Sequence, residues 1–270
     1  MGSGIAQVSA QSGFTTLLYD INEAVLEKGK ASIQKNLQWL TDKQKISAEE
    51  KELIFQRISF VSDSNDCIAD LVIEAIVEKT EAKVAVFNQL AEINHGDVIF
   101  ATNTSSLSIS GIQSKVVNPN RVVGMHFFNP APLMKLVEVV KGDQTSEGVA
   151  QTIYELCKQM NKTPVMCTDA PGFIVNRVAR HYYLEAMKIV ELGFATIENV
   201  DEVMEASGFK MGPFKLMDLI GIDINLAVTR SLYEAFKEAE RFKPSTIQID
   251  KVAKGELGKK TGKGFYEYNN

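Results

Sequence analysis

The sequence predicts two domains, a mostly parallel α/β sheet domain followed by an all-helical one. Three observations carry this. Strand-length apolar runs alternate with helix-length amphipathic stretches over the first 165 residues. Runs such as Asp70–Ala75 and Val98–Thr102 are continuously apolar at their centres, as in a sheet covered on both faces. After Asp169-Ala170-Pro171-Gly172 no strand signal of any strength follows, which places a boundary near 168–172 and gives units of 1–169 and 170–270.

The elements follow in order. Ile5, Val8 and Ala10 at helical spacing predict a first helix starting at or before Met1 and stopping at Gly13. Thr15–Asp20 reads as a strand ending in a carboxylate. Ala24, Val25, Leu26, Ile33, Leu37 and Leu40 give a long amphipathic helix over 22–42. Ser47 with Glu50 three residues on is a capping box opening the next helix. Phe60-Val61 and Asp70–Ala75 are strands, then comes a helix over about 79–93 and a buried strand over Val98–Thr102. A polar Asn103-Thr104-Ser105-Ser106 turn and two more strands, Val122–Phe128 and Leu136–Val140, complete the sheet. In the second domain a helix spans 172–192 and ends before Gly193. Thr196 caps another that runs to Gly208, Pro213 opens a short one closed by Gly221, and a last one fills about 223–239.

Composition narrows the function. Apolar residues at 45% and charged residues at 23% describe a globular chain rather than a disordered one. A net charge of −5 argues against a nucleic-acid partner, which needs clustered positive charge. Apolar stretches such as Ala69–Val77 are short and broken by Asp or Glu, so no membrane span is expected. No basic-then-apolar leader opens the chain. Cys67, Cys157 and Cys167 form no CxxC pair, so a zinc or dithiol site is not expected and free thiols in a reducing cytoplasm are.

A dinucleotide site needs a strand, a glycine-rich turn, a helix N-terminus and an acid about 20 residues on. Asp20 is that acid, at a strand end and 18 residues after Gly2. Its carboxylate accepts from ribose hydroxyls and repels a 2′-phosphate, which favours NAD over NADP. Of the full GxGxxG only Met1-Gly2-Ser3-Gly4 is present, with no strand before it. Two glycines in that position also read as a flexible terminus.

Among three histidines, His126 stands at a strand end beside Phe127 and Phe128. Its side-chain type, with an unperturbed pKa of about 6.5, suits proton transfer near neutral pH, although a histidine among apolar residues is commonly structural. Glu138 interrupts the apolar strand Leu136–Val140 on the face of Leu136 and Val140. It is either a costly buried carboxylate that needs a partner or an edge charge facing water.

Taken together and in order, Gly2-Ser3-Gly4-Ile5-Ala6-Gln7, Asp20, Glu74-Ala75-Ile76-Val77-Glu78, Asn103-Thr104-Ser105-Ser106-Leu107, Gly124-Met125-His126-Phe127-Phe128-Asn129-Pro130, Lys135–Val139, Pro171-Gly172-Phe173-Ile174-Val175-Asn176-Arg177, Met211-Gly212-Pro213-Phe214 and Gly262–Tyr266 resemble the 3-hydroxyacyl-CoA dehydrogenases, most closely the short bacterial 3-hydroxybutyryl-CoA dehydrogenases. The resemblance covers essentially the whole chain. It implies a Rossmann-like NAD-binding domain and a helical substrate-binding domain that forms a homodimer, the two closing over an acyl-CoA. It further implies NAD-dependent, reversible oxidation of (S)-3-hydroxyacyl-CoA, with 3-hydroxybutyryl-CoA first among the substrates, in fatty-acid or butanoate metabolism.

Residue roles carry over from the same resemblance. Glu138 hydrogen-bonds His126 and stabilises its imidazolium, and His126 takes the hydroxyl proton. Ser105 and Asn176 hold the substrate oxygen. Met1, Gly2, Asp20, Glu78, Lys83, Asn103, Ser105, Asn129 and Lys260 match cofactor contacts. Asn36 and Lys43, with Ser105 and Asn176, match acyl-CoA contacts. In the family the chain begins earlier, with the first strand and first glycines of the fingerprint. A chain lacking that strand is expected to leave its neighbours short of ladder partners and to bind NAD weakly. Two other readings stay open: a dehydrogenase of free hydroxy acids, and a non-catalytic relative that retains the fold.

Overall fold

The computed structural model describes residues 1–268. Its first helix, α1 (Gly2–Gln11), stops at Gly13, whose φ of +93° suits a residue without a Cβ. There follow β1 (Thr16–Tyr19), α2 (Glu23–Asp42), α3 (Ala48–Gln56), β2 (Ile58–Val61), β3 (Leu71–Glu74), α4 (Thr80–Ile93), β4 (Ile99–Thr102), α5 (Ile109–Gln113), β5 (Val122–Phe127), β6 (Leu136–Lys141), α6 (Glu147–Gln159) and β7 (Thr163–Thr168). The second unit contains α7 (Val175–Glu191), α8 (Ile197–Ala206), α9 (Pro213–Ile220), α10 (Ile222–Ala235) and α11 (Thr246–Ala253). Contacts within the chain separate Met1–Ala170 from Pro171–Asn270.

The caps read from the sequence are made. Ser47 Oγ accepts from Glu50 N while Glu50 Oε2 accepts from Ser47 N, closing the box at the start of α3. Thr196 Oγ1 accepts from Asn199 N at the start of α8, and Pro213 occupies the first turn of α9.

In the first unit the strands form two sheets. β1 and β2 make a parallel pair, and β3-β4-β5-β6-β7 make a five-stranded sheet. Among the described residues, then, no strand ladder joins β1 to β3. The five-stranded sheet is parallel except at β5–β6, which run antiparallel. Only residues 128–135 connect that pair, fewer than a parallel crossover requires. One face of this sheet buries Ala101, Val123, Met125, Val137 and Val139 with Ile5 and Val8 of α1 and Val149, Ile153 and Cys157 of α6. A second cluster joins Ala10 of α1 to Ile33, Leu37, Ile54 and Ile58.

Several elements depart from the sequence expectation. α5, α6, β7 and α11 lie outside it. In β7 a proline interrupts the apolar run, and the strand is tolerated because it lies at the sheet edge, with Pro164 opposite Val137. The helix expected from residue 172 starts at Val175, because Gly172 (φ +73°) and Phe173 (φ +48°) hold a turn there. α10 stops at Ala235 rather than about 239, since Lys237 and Glu238 both take positive φ. The last segment of the second unit also carries isolated bridges, Gly258–Lys263 and Lys263–Glu267, where only helix was expected.

Packing in the second unit centres on Tyr183, Met187, Phe214, Met217 and Ile222. Asp218 is buried beneath its C-terminal segment, where it accepts from Phe265 N, Tyr266 N and the Tyr268 hydroxyl, each at 2.9 Å.

Candidate active site

The chemistry of the first unit collects at the carboxyl ends of β3, β4 and β5, the edge at which α/β sheets bind ligands. β5 and β6 are antiparallel partners, and the register sets His126 directly opposite Glu138. Directly opposed residues project on the same face of the sheet. His126 Nδ1 lies 2.7 Å from Glu138 Oε2, with side chains only 7% and 1% exposed. Of the two readings of Glu138, the buried and paired one is therefore what the fold contains. A carboxylate only accepts, so Nδ1 carries the hydrogen and the neutral ring has its lone pair on Nε2.

The polar turn after β4 is held by Glu78. Its Oε1 accepts from Thr104 Oγ1 at 2.5 Å, from Ser105 N at 3.0 Å, from Ser106 N at 3.1 Å and from Ser106 Oγ at 2.9 Å. Burial disfavours its charge, yet the bonds from Thr104, Lys83 and Ser106 outweigh burial and hold the carboxyl below its ordinary value. Asn103 ties the turn to the histidine strand, its Oδ1 accepting from Phe127 N at 2.8 Å. The fold thus brings Glu78, Lys83, Asn103 and Ser105 together, and links their turn to the residue next to His126.

Lys83 sits behind Glu78 rather than at the surface. Its ammonium, 1% exposed, lies 2.8 Å from Glu74 Oε1 and 3.2 Å from Glu78 Oε2. Its partners are thus the two carboxylates, one from the end of β3 and one from the segment before α4.

Asp20 directly follows β1, and its Oδ1 accepts from Asn22 N. Met1 caps α1 through its carbonyl, which accepts from Gly4 N and Ile5 N. A Cβ at Gly2 would meet only Leu18 Cδ1, at an ordinary 3.8 Å. Gly4 is the crowded glycine, because a Cβ there would come within 3.2 Å of Pro132 Cδ and 3.4 Å of Ala131 Cβ. Asn129 is exposed on the segment after β5. These residues fit a dinucleotide: a helix N-terminus with a glycine where a Cβ would be tightly packed, and a carboxylate after β1 that can accept from vicinal hydroxyls.

Asn36 on α2 donates from Nδ2 to Gln7 Oε1 at 3.1 Å, and Lys43 is exposed at the C-terminal cap of the same helix. Asn176 stands in the first turn of α7 in the second unit. Lys260, in that unit too, is paired with Asp223 at 2.5 and 2.7 Å. The three cysteines are free, and burial, with the charges of Glu138 and Asp169 added, pushes the Cys167 thiol up to about 12, which keeps it protonated.

Sequence reasoning misses two contributors, Glu74 and Gly4. Glu74 ends the apolar run Leu71–Glu74 and is as buried as Glu138. Like Glu138 it is a carboxylate in an apolar strand and equally needs a buried partner. Gly4 has a signal in the Gly-x-Gly spacing but none that distinguishes it from Gly2.

Comparison with known proteins bears on this arrangement. Residues 1–170 match the family described as 3-hydroxyacyl-CoA dehydrogenase, NAD binding domain, and residues 172–268 match 3-hydroxyacyl-CoA dehydrogenase, C-terminal domain. The chain is 46% identical over 270 residues to the 3-hydroxyadipyl-CoA dehydrogenase of Escherichia coli, covering 99% of this chain and 57% of that longer protein. It is 41% identical over 271 residues to the 3-hydroxybutyryl-CoA dehydrogenase of Clostridioides difficile, covering 100% of this chain and 96% of that one. The crystal structure of (S)-3-hydroxybutyryl-CoA dehydrogenase from Ralstonia eutropha superposes with a TM-score of 0.95 at 38% identity, covering 100% and 96% of the two chains.

Proposed function

Because the chain belongs to the 3-hydroxyacyl-CoA dehydrogenase family, we propose that it catalyses the reversible, NAD-dependent oxidation of an (S)-3-hydroxyacyl-CoA to the 3-oxoacyl-CoA, 3-hydroxybutyryl-CoA foremost. The observation that carries the proposal is the buried His126–Glu138 pair, 2.7 Å apart, on a sheet whose neighbouring turn presents Ser105.

His126 acts as the base. Glu138 fixes the tautomer, so Nε2 takes the hydroxyl proton, and the imidazolium that forms is stabilised by the carboxylate at its other nitrogen. The substrate's C–H pair leaves as hydride as the O–H proton goes to His126, and the alcohol becomes a ketone. Bound NAD supplies the hydride acceptor. In the reverse direction the imidazolium returns the proton to the alkoxide oxygen. Ser105 and Asn176 hydrogen-bond the substrate and hold its oxygen for proton transfer. Asp20, Gly2 and Gly4 with Met1 at the start of α1, Asn103 and Asn129 hold the cofactor; Glu78 shapes the turn beside it and Lys83 backs Glu78. Asn36 and Lys43 are assigned to the CoA portion, Lys43 as a cation for phosphate. Lys260 is assigned to the cofactor with Asp223 as its resting partner.

We assign the chain to a homodimer through its helical unit, supported by apolar side chains exposed there, among them Phe194 at 78%, Val178 at 67% and Val203 at 62%. Light scattering at twice the monomer mass is the expected result. A cytoplasmic location is assigned on the free thiols, and no nucleic-acid partner on the charge of −5. Among the described residues no helix is long and apolar enough to cross a membrane.

The direct test compares acetoacetyl-CoA with acetoacetate as oxidants of NADH. The thioester is expected to turn over faster by on the order of a hundredfold or more, since remote binding energy is available to it alone. Equal rates would transfer the proposal to free hydroxy acids, and no oxidation of NADH with either would leave a non-catalytic relative.

A further inference from the structure

The β3 and β4 ends are joined by one buried carboxylate. Glu74 closes β3 and is the ladder partner of Thr102, which closes β4. Its Oε1 accepts from Ile76 N at 2.6 Å and its Oε2 accepts from Thr102 Oγ1 at 2.7 Å. Both oxygens also accept from Lys83 Nζ, at 2.8 and 3.1 Å. Lys83 in turn reaches Glu78 Oε2 at 3.2 Å, and Glu78 Oε1 gathers the Thr104, Ser105 and Ser106 donors. A single ammonium therefore serves two carboxylates, one sealed in the core and one at the lip of the turn. Every donor around Glu74 is matched to a lone pair, so the arrangement has few alternatives at low cost.

From this chain of contacts we infer that Glu74 is a positioning residue for the reaction: through Lys83 and Glu78, and through Thr102, it sets the Thr104–Ser106 turn and so the place of Ser105. It rests on the reading of Ser105 as a substrate-binding group. Glu74 touches no reacting atom itself. Its effect comes from geometry. Ile76 N pins the turn that carries Glu78, the Thr102 hydroxyl pins the strand end that leads into residue 103, and Lys83 couples the two. Positions held this way are sensitive to displacements of about 1 Å.

The test uses Glu74→Gln in the full chain. The amide keeps the shape but turns one of two acceptor oxygens into a donor facing donors. Amide hydrogen exchange without any ligand is expected to show Ser105 N and Ser106 N exchanging faster by about tenfold or more, while amides of α10 in the second unit keep their rates. With NAD and 3-hydroxybutyryl-CoA, kcat is expected to fall about tenfold. Thr102→Val, a smaller change that removes one donor to Glu74, is expected to shift both readouts in the same direction by less, and it stands in should Glu74→Gln not fold. A lowered melting temperature with Ser105 and Ser106 protection and kcat unchanged would make Glu74 merely structural and overturn the inference. Wild-type chain without acyl-CoA turnover would sink the proposed function instead, and the exchange measurement would still decide on the positioning.

Discussion

His126 and Glu138 are direct partners across an antiparallel ladder, which fixes their 2.7 Å contact by backbone register rather than by a flexible loop. Removing the charge while keeping the shape isolates its effect. Glu138→Gln is expected to lower kcat by about a hundredfold, within the range for acid–base groups, and to leave KM for the acyl-CoA within about threefold. Steady-state kinetics with both substrates varied checks this. An unchanged kcat would remove Glu138 from the mechanism.

On the proposed reading Asp20 sets the choice between NAD and NADP. A carboxylate accepting from ribose hydroxyls forms charge-assisted bonds worth about 1.5–3 kcal/mol. Asp20→Ala should therefore weaken NADH binding by roughly 10- to 100-fold while raising relative tolerance of NADPH. Titration of cofactor fluorescence with each nucleotide reads both effects.

Glu78 makes the turn acid-sensitive. Its folded-state carboxyl titrates below the ordinary value of 4.5, so its charge stabilises the fold fully above that pH. The contribution is lost as pH falls through the lower folded value. Melting temperatures of wild type and Glu78→Gln should differ by a constant amount above about pH 5 and converge as the pH falls below 4.5. A gap that widens on acidification would contradict the direction.

Asp218 is predicted to be a costly carboxylate to remove from the second unit. Alanine would leave two partly buried backbone N–H groups and a tyrosine hydroxyl without their acceptor. At about 1–3 kcal/mol for each unsatisfied group, a loss of about 3 kcal/mol or more is expected, read from the urea midpoint of the full chain.

Much of this was legible before any coordinates. The apolar runs of β3, β4, β5 and β6 announce a covered sheet, and Glu138 inside one of them poses the choice between a paired, buried carboxylate and a charge facing water. The caps at Ser47 and Thr196 are local chemistry, visible in a few letters. What stays hidden depends on contacts distant in sequence. Nothing in the sequence of α4 says that Lys83, its one lysine, is enclosed by Glu74 and Glu78. The late start of α7 is hidden for a different reason, since Pro171-Gly172 resembles a helix opening until two successive positive φ angles turn the chain away. β7 is masked by its own proline, tolerated only because nothing pairs on its outer side among the described residues.

α1 contributes Ile5 and Val8 to the cluster over the five-stranded sheet and Ala10 to the cluster around α2, α3 and β2. Two ladders with no strand pairing between them among the described residues are thereby riveted by one short rod. On the proposed function the rod's leading end is also the anion-seeking end of the nucleotide cradle, so mechanical integrity and ligand grip would reside in the same ten residues, and a packing defect on either flank would be felt at both.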